Sequence, residues 1–339
     1  MAFATFDNQP SSWHHIRMRH CLTISIMIFL QGICPSTVFA DQAQIFPRRF
    51  LVVQSYNASM LWSQSIQRGI EDTLEKEAPD TRIESFFMDT KFHFSPEYMQ
   101  ELSRLFRLKY AGTRYDAVIT ADDAAFLFVL QHRTTLLQDT PLAFCGVNRL
   151  SNEHLSGQNG ISGIVEDIDI APTIEAARHI HPGLGTIHVI NDQTLTGKNN
   201  RLMLDALAHQ WPSLRLVHLD SLSWDALTQT VAAITNTSSI ILLLSYTTDA
   251  AGVSLSYRES IRRIRAAAKV PLYGVWDFYL GRGILGGMIT SGLDQGRRAA
   301  RLALALSRGT PAGELPILRK SPNQLVFDAT EMARFGIAQ

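Results

Sequence analysis

Polar and aromatic side chains follow the apolar, strand-like runs of this sequence, at the points where those runs end. Hydroxyl, carboxamide and carboxylate groups orient a small molecule by hydrogen bonds, and aromatic rings offer it flat apolar surface. In open parallel sheets the carboxyl ends of the strands gather at one edge, so residues that follow different strands meet there. The candidate ligand-contacting residues are Ser55, Tyr56, Asn57, Trp62, Asp122, Asn148, Glu166, Asn191, Asp192, Thr196, Tyr246, Thr247, Trp276 and Asp277.

Each candidate also has a purely structural interpretation, which the sequence alone leaves open. Asp122 and Thr196 stand where a helix cap belongs, and Trp62 has the spacing of a core residue in a helix. Taken together, the residues favour a binding cleft. Asp192, Asp249 or Asp277 could hold an amine, whereas the absence of an Arg cluster on these loops disfavours phosphate or sulfate.

Other chemistries find little support in the sequence. Residues 281–286 match G-x-G-x-x-G, but a strand-like run follows where a dinucleotide site needs a helix, so a turn is expected. The histidines lack metal-ligand spacing, and the chain has no nucleophile elbow and no phosphate-binding loop. Cys145 lies in an apolar run and is interpreted as a buried hydrophobe. We therefore predict a protein that is not an enzyme and needs no cofactor or metal.

The alternation of elements indicates the fold class. Short apolar strands alternate with helices of about a dozen residues, which is typical of βαβ units with parallel sheets covered on both faces. Two such series are separated by a break near residues 148–162. The sequence therefore predicts an α/β fold of two Rossmann-like lobes, 41–150 and 151–277, with a ligand cleft between them.

Composition and the N-terminus narrow the class of protein further. The 339 residues are 46% hydrophobic with a formal net charge of +0, which gives no support for nucleic-acid binding. Arg17 and Arg19 precede the apolar run 22–30, and small or turn-forming residues follow up to the cleavage site at Val38-Phe39-Ala40, the pattern of a secretory signal peptide over residues 1–40. Translation can start at Met1 or at Met18. We expect an exported, periplasmic monomer without a lipid anchor.

Five segments carry a resemblance to a known family. They are 144–148 (FCGVN), 163–169 (GIVEDID), 189–197 (VINDQTLTG), 273–281 (YGVWDFYLG) and 334–337 (RFGI). From about residue 48 onward the chain resembles the ABC-transporter substrate-binding family of the type I periplasmic fold. It is especially similar to the branch used as sensor domains of bacterial histidine kinases and diguanylate cyclases.

The resemblance implies a function and a more detailed domain division. Several crossovers would join the lobes, with about 278–310 completing the first and about 311–339 completing the second. It implies a solute-binding protein that captures a small organic ligand, amino-acid-like or aromatic, by hinge closure and presents it to an ABC permease. The alternative is a ligand-sensing component that feeds a kinase or cyclase. In the sensor branch a transmembrane helix and a signalling domain usually follow, whereas this sequence runs to Gln339 with neither, so the binding protein is the expected function.

Overall fold

Five parallel strands form the first sheet of the computed structural model, which describes residues 47–148 and 150–338. The strands are β1 (Arg49–Gln54), β2 (Arg82–Phe87), β3 (Ala117–Ala121), β4 (Leu142–Val147) and β5 (Ile161–Val165). Their order in the sheet is β2-β1-β3-β4-β5, and all neighbouring pairs are parallel. Every residue of β3 and β4 is buried, because helices cover both faces of the sheet.

Six strands form the second sheet. They are β6 (Thr186–Asn191), β7 (Arg215–Leu219), β8 (Ser239–Ser245), β9 (Leu272–Gly274), β10 (Gly286–Ile289) and β11 (Gln324–Phe327). The order is β11-β10-β9-β8-β6-β7, and only the β10–β11 pair is antiparallel. The predicted α/β architecture of two mainly parallel sheets is confirmed.

Ten α-helices connect and cover the strands in the described ranges. They are α1 (Leu61–Glu77), α2 (Pro96–Tyr110), α3 (Asp122–Leu136), α4 (Asn152–Leu155), α5 (Ile170–Ile180), α6 (Leu195–Leu207), α7 (Trp224–Ala233), α8 (Tyr257–Ala267), α9 (Gly292–Ser307) and α10 (Ala329–Arg334). The start of α2 shows how local sequence sets these bounds. The Ser95 hydroxyl accepts a hydrogen bond from the Tyr98 amide at 3.2 Å, and Pro96 occupies the first turn.

Helix α9 belongs to the first lobe although it comes late in the chain. It packs along α1 and against β3, β4 and β5. Two glycines allow the close approach of the two helices: a Cβ atom on Gly69 would lie 2.2 Å from the Leu293 carbonyl oxygen, and one on Gly296 would lie 2.1 Å from that of Ile66. The first lobe is therefore complete only when residues from near both ends of the chain have come together.

Three crossovers join the lobes within the described residues. The chain leaves the first sheet after β5, returns between β10 and α9, and leaves again between Leu318, which pairs beside β5, and β11. Gln295 ties these segments together in the interior. Its side-chain oxygen accepts from the Gly146 amide at 3.0 Å, and its nitrogen donates to the Ser321 hydroxyl at 2.9 Å and to the Val165 carbonyl at 3.3 Å.

The observed lobes differ from the predicted division at two strands. Strand β5 falls inside the range 151–277 predicted for the second lobe, yet it pairs with β4 and is an edge of the first sheet. Strand β10 falls inside 278–310, predicted for the first lobe, yet it lies in the second sheet between β9 and β11. In both cases non-local strand pairing decides the lobe, and spacing along the chain does not reveal it.

Two further expectations concern the chain termini and Cys145. The predicted leader, 1–40, and the choice between Met1 and Met18 lie outside the described residues. No helix within the described ranges combines the length and apolarity that a membrane span requires. The Cys145 side chain is fully buried in β4, where burial raises the pKa of its thiol, as expected of a structural cysteine.

Candidate functional site

A cavity of about 470 Å³ lies between the lobes, at the carboxyl ends of both sheets. This is the edge at which open parallel sheets bind ligands. The first lobe contributes loops that follow β1, β2, β3 and β4, the first and third crossovers contribute further residues, and the second lobe contributes α6, the start of α8 and the turn after β9. The lining residues are Tyr56, Trp62, Lys91, Asp122, Asn148, Val165, Glu166, Asp167, Ile168, Thr196, Asn199, Asn200, Leu202, Met203, Tyr257, Trp276, Phe278 and Arg319.

The structure separates the residues that the sequence singles out into two equal groups. Those that line the cavity are Tyr56, Trp62, Asp122, Asn148, Glu166, Thr196 and Trp276. Those that do not are Ser55, Asn57, Asn191, Asp192, Tyr246, Thr247 and Asp277. The polar atoms of most members of the second group form hydrogen bonds inside the protein. These hydrogen bonds connect strands, helices and loops of the same lobe or crossover.

In the first lobe, Ser55 and Asn57 organise the loop after β1. The buried Ser55 hydroxyl donates to the Ala121 carbonyl and accepts from the Ala125 amide, both at 2.8 Å, so it joins β1 to the start of α3. The Asn57 amide donates to an Asp89 carboxylate oxygen at 2.9 Å, and its carbonyl oxygen accepts from Ser59. Both residues shape the wall without facing the cavity.

In the second lobe, Asp192 is the centre of a buried network. One carboxylate oxygen accepts from the Thr194 amide and hydroxyl at 3.2 and 2.5 Å. The other accepts from the Thr247 amide at 2.8 Å, the Thr247 hydroxyl at 3.2 Å and the Ser245 hydroxyl at 3.3 Å. Asn191 is likewise engaged, donating to the Gly197 carbonyl at 2.5 Å. These groups join β6, α6 and β8, and they leave Asp192 no open position for a ligand amine.

Tyr246 and Asp277 are also structural. Tyr246 is fully buried, packs edge-on against Trp224 at 4.9 Å between ring centroids, and donates its hydroxyl to the Leu222 carbonyl. Asp277 accepts from the Ser291 hydroxyl at 2.7 Å. Burial raises the pKa of Asp277, while that bond and backbone amides at the start of α9 lower it. Asp277 therefore connects the turn after β9 to the second crossover.

Aromatic side chains form a continuous wall of the cavity. Trp276 and Phe278 are stacked with centroids 5.9 Å apart and planes 13° apart. Tyr257 lies against Phe278 at 4.6 Å, and Trp62 from the first lobe meets the same ring edge-on at 6.3 Å. Tyr56 lines the cavity as well. Such a surface favours flat or apolar parts of a ligand.

Asp122 is held in an unusual conformation at the junction of β3 and α3. Its φ of 69° lies in the left-handed region, which non-glycine residues seldom adopt. One carboxylate oxygen accepts from the Trp62 indole N–H at 2.8 Å, while the other is buried without a hydrogen-bond partner. Gly146 makes room for the carboxylate, since a Cβ atom there would lie 2.7 Å from it. Burial and the neighbouring charge of Glu166 raise the pKa of Asp122 well above its ordinary value.

Glu166 is the second carboxylate of the cavity and lies on the first crossover, directly after β5. Its side chain accepts from the Trp276 indole N–H at 2.9 Å, and its backbone carbonyl accepts from the Asn148 amide at 3.1 Å. Desolvation in the cleft raises the pKa of Glu166 to about 7, although the hydrogen bonds from Trp276 and Asn148 lower it. Glu166 therefore joins an aromatic residue of the second lobe to the hinge.

Lys91 and Thr196 make a direct contact across the cleft. The Lys91 ammonium, on the loop after β2, donates to the Thr196 hydroxyl on the first turn of α6 at 2.8 Å. The same ammonium lies 5.6 Å from the centre of the Tyr56 ring. Because this hydrogen bond joins residues of opposite lobes, it stabilises a closed arrangement of the two.

Sequence reasoning missed several residues of the wall. Tyr257, Leu202 and Met203 lie on helices, Phe278 lies in a 3-10 turn, and Lys91 lies four residues beyond the end of β2. The rule that ligand residues directly follow strands cannot identify them. The exposed fractions of Leu202 and Met203, 69% and 38%, are high for apolar side chains, and helix periodicity could have indicated that they sit outside the core.

The groups in the cavity wall can bind a small molecule by several kinds of contact. The cavity wall holds aromatic rings, carboxylates, amides, the Lys91 ammonium and the Arg319 guanidinium. No cluster of three or more potential His, Cys, Asp or Glu metal ligands occurs among the described residues. These groups can bind a ligand by aromatic stacking, hydrogen bonds and charge pairing.

The chain is similar to known proteins in its fold. No family model matches the sequence, and no curated protein sequence matches it. Among solved structures, a conserved domain protein from Vibrio cholerae O1 biovar eltor is 17% identical with a TM-score of 0.63, over 86% of this chain and 95% of that one. An ABC domain from Streptococcus pneumoniae in complex with L-Trp is 14% identical with a TM-score of 0.60, over 86% and 95%.

A third similar structure is a periplasmic solute-binding protein of an ABC transporter from Actinobacillus succinogenes 130z with bound D-allose. It is 14% identical with a TM-score of 0.56, over 85% of this chain and 99% of that one. The similar structures of named function are substrate-binding proteins and regulators. The chain has the two-lobed fold of type I periplasmic binding proteins.

Proposed function

We propose that this chain is a periplasmic solute-binding protein that captures a small organic ligand, amino-acid-like or aromatic, by closure of its two lobes. The observation that carries the proposal is the cavity of about 470 Å³, walled by both lobes and by the crossovers between them. This volume lies within the range of small-molecule sites. A ligand in it touches both sides of the hinge.

The lining supports the proposed ligand class. Trp276 and Phe278 offer a stacked aromatic surface, while Asp122, Glu166 and Asn148 offer polar atoms at its edge. Two similar folds contain ligands of related size, L-Trp in one and D-allose in the other. An aromatic wall suits either an aromatic ring or the apolar face of a sugar, and the carboxylates favour a ligand that donates hydrogen bonds.

Hinge closure follows from the connectivity. Three crossovers join the lobes, so the lobes can rotate about them while each sheet stays intact. A ligand shifts the equilibrium toward closure only when it binds the closed state more tightly than the open one. Residues such as Trp62 and Trp276, on opposite lobes around one cavity, supply that difference.

The proposed partner is an ABC permease that recognises the closed form, and the proposed site of action is the periplasm after removal of residues 1–40. N-terminal sequencing of the protein recovered from the periplasm should then begin at Asp41. A vesicle uptake assay with the permease should depend on the protein. Stimulation of a histidine kinase or diguanylate cyclase, without any support of uptake, would instead assign the sensing function.

The first test is a thermal-shift screen of the purified protein against amino acids, heterocycles, sugars and small carboxylates, followed by calorimetry on each hit. A ligand at a hundred times its dissociation constant should add about 2.7 kcal/mol to the free energy of unfolding. The melting temperature should rise by about 5 °C or more. Loss of the shift in Trp276→Ala, with retention in Trp211→Phe, would locate the ligand in the cleft. A broad library without a single hit would contradict the proposal.

A further inference from the structure

The cleft contains a buried carboxylate oxygen that nothing in the described protein satisfies. Asp122 is 3% exposed and lines the cavity, and its second carboxylate oxygen has no hydrogen-bond partner. Leaving a buried polar atom unpaired is costly, so such atoms call for an explanation. The left-handed backbone at Asp122 and the space left by Gly146 show that the local structure is built around this carboxylate.

A second carboxylate faces the same cavity. Glu166 interacts electrostatically with Asp122, and neither forms an ion pair with a Lys, Arg or His residue in the described ranges. Two cations line the same cavity, but the Lys91 ammonium donates to Thr196 at 2.8 Å and the Arg319 guanidinium donates to Asn152 at 3.1 Å. Two carboxylates thus share a cavity with no protein cation paired to either.

The surrounding rings add to the attraction for positive charge. The faces of Trp, Tyr and Phe rings carry negative potential and attract cations within about 6 Å. Five aromatic residues line the cavity: Tyr56, Trp62, Tyr257, Trp276 and Phe278. Trp62 and Trp276 direct their indole N–H groups to Asp122 and Glu166, so each carboxylate is fixed against a ring.

We infer that the ligand carries a positively charged nitrogen, which lies between Asp122 and Glu166 with its apolar portion against Trp276 and Phe278. An organic ammonium satisfies the open oxygen of Asp122 and neutralises the mutual repulsion of the two carboxylates. This inference rests on the proposed function and specifies its ligand class.

The inference predicts how ligand affinity depends on pH and that binding releases protons. The other titratable and charged groups that line the cavity or interact electrostatically with the two carboxylates are Asp123 on α3, Lys91 after β2, Tyr56 after β1, Tyr257 on α8, Asp167 on the first crossover and Arg319 on the third. In the empty cleft, burial keeps the pKa of Asp122 and of Glu166 above ordinary values. A bound cation lowers both, so binding releases protons and tightens as the pH rises from 5 to 8. A neutral hydrogen-bond acceptor prefers the protonated carboxyl and shows the opposite pH dependence.

The test uses matched compounds that differ only in charge. Tryptamine, tryptophol and indole-3-propionate present an ammonium, a hydroxyl and a carboxylate on one scaffold, and the corresponding phenyl and isoamyl compounds extend the series. Calorimetry at pH 5, 6, 7 and 8 gives affinity and proton release. The variants are Asp122→Asn and Glu166→Gln, which retain an oxygen for the indole N–H of Trp62 or Trp276. Asp225→Asn, on the exposed side of α7, is the control for loss of one negative charge.

The expected result is that amines bind at least tenfold more tightly than alcohols at pH 8. Asp122→Asn and Glu166→Gln should each reduce that preference at least fivefold, while Asp225→Asn leaves it unchanged. Alcohols or acids that bind as tightly as the amines would overturn the charge inference and leave the binding function standing. Failure of the whole series, together with a hit on an uncharged or acidic compound in the thermal-shift screen, would overturn the charge inference alone. Failure of both the series and the screen would overturn both proposals.

Discussion

Two buried aspartates at the ends of parallel strands behave in opposite ways. Asp192 follows β6, lies outside the cavity, and accepts five hydrogen bonds from Thr194, Ser245 and Thr247. Asp122 follows β3, lines the cavity, and accepts one side-chain hydrogen bond, from Trp62. Residue type, burial and position relative to a strand are the same for both. For these two residues, the saturated carboxylate is structural, and the one that lines the cavity with an unpaired oxygen is available to a ligand.

The largest expected effect comes from removing the structural carboxylate. Asp192→Ala leaves the Thr247 amide and several hydroxyl groups without an acceptor in the interior, and it should lower the free energy of unfolding by about 3 to 4 kcal/mol. Asp122→Asn should leave stability unchanged or raise it, because it removes a desolvated charge and keeps the Trp62 bond. Urea unfolding of both variants measures the contrast. An equal decrease in the free energy of unfolding in both variants would show that the two carboxylates do not differ in their structural role.

A similar contrast is expected between two aromatic residues. Trp276→Ala should weaken ligand binding about thirtyfold, or about 2 kcal/mol, because it removes a ring of the cavity wall and the partner of Glu166. Tyr246→Leu should lower stability while leaving the affinity of the folded protein unchanged, since Tyr246 packs in the core against Trp224. Calorimetry below the unfolding transition of both variants compares them. Unchanged affinity in Trp276→Ala would exclude this residue from the site.

Glu166 should make stability depend on pH. Its pKa in the folded protein is raised to about 7, so between about pH 4.5 and 7 the folded state retains a proton that the unfolded chain has lost. Stability therefore decreases as the pH rises through this window. Between pH 5 and 8 the wild type should lose about 2 kcal/mol more than Glu166→Gln, as measured by urea unfolding. Parallel pH profiles would show that the cleft does not raise this pKa.

The smallest effect concerns the contact across the cleft. Lys91→Met removes the hydrogen bond to Thr196, which favours closure, while it keeps the length of the side chain. Ligand affinity should fall about threefold to fivefold, because partly exposed polar contacts contribute less than 1 kcal/mol. The radius of gyration of the unliganded protein in solution should rise. A variant with the radius of gyration and the ligand affinity of the wild type would show that closure does not depend on this hydrogen bond.

Much of the fold was predictable because its information is local. The alternation of short apolar strands and helices identified both series of βαβ units, and the two sheets are mainly parallel, as predicted. The sheet to which β5 and β10 belong was not predictable in the same way. Each joins its sheet by pairing with a strand on the far side of a connection, and the gap of residues 148–162 looks like a lobe boundary from spacing alone.

The site was only partly predictable for a related reason. Strand ends identified Tyr56, Asp122 and Trp276, because the chain direction places those residues at the ligand edge. The hydrogen bonds that occupy the Asp192 carboxylate could not be predicted, since one of their donors, Thr247, lies more than fifty residues away in the sequence. Tyr257 was also missed, because its position at the start of a helix is equally typical of a core residue.

The late position of α9 has a consequence for how the chain folds as it is made. Helix α1 presents an apolar face that α9 covers, so this face stays exposed to solvent until residues 292–307 have been synthesised. At ordinary rates of translation this interval lasts roughly ten seconds after β5 has emerged. The first lobe is consequently the first to begin and among the last parts to be finished.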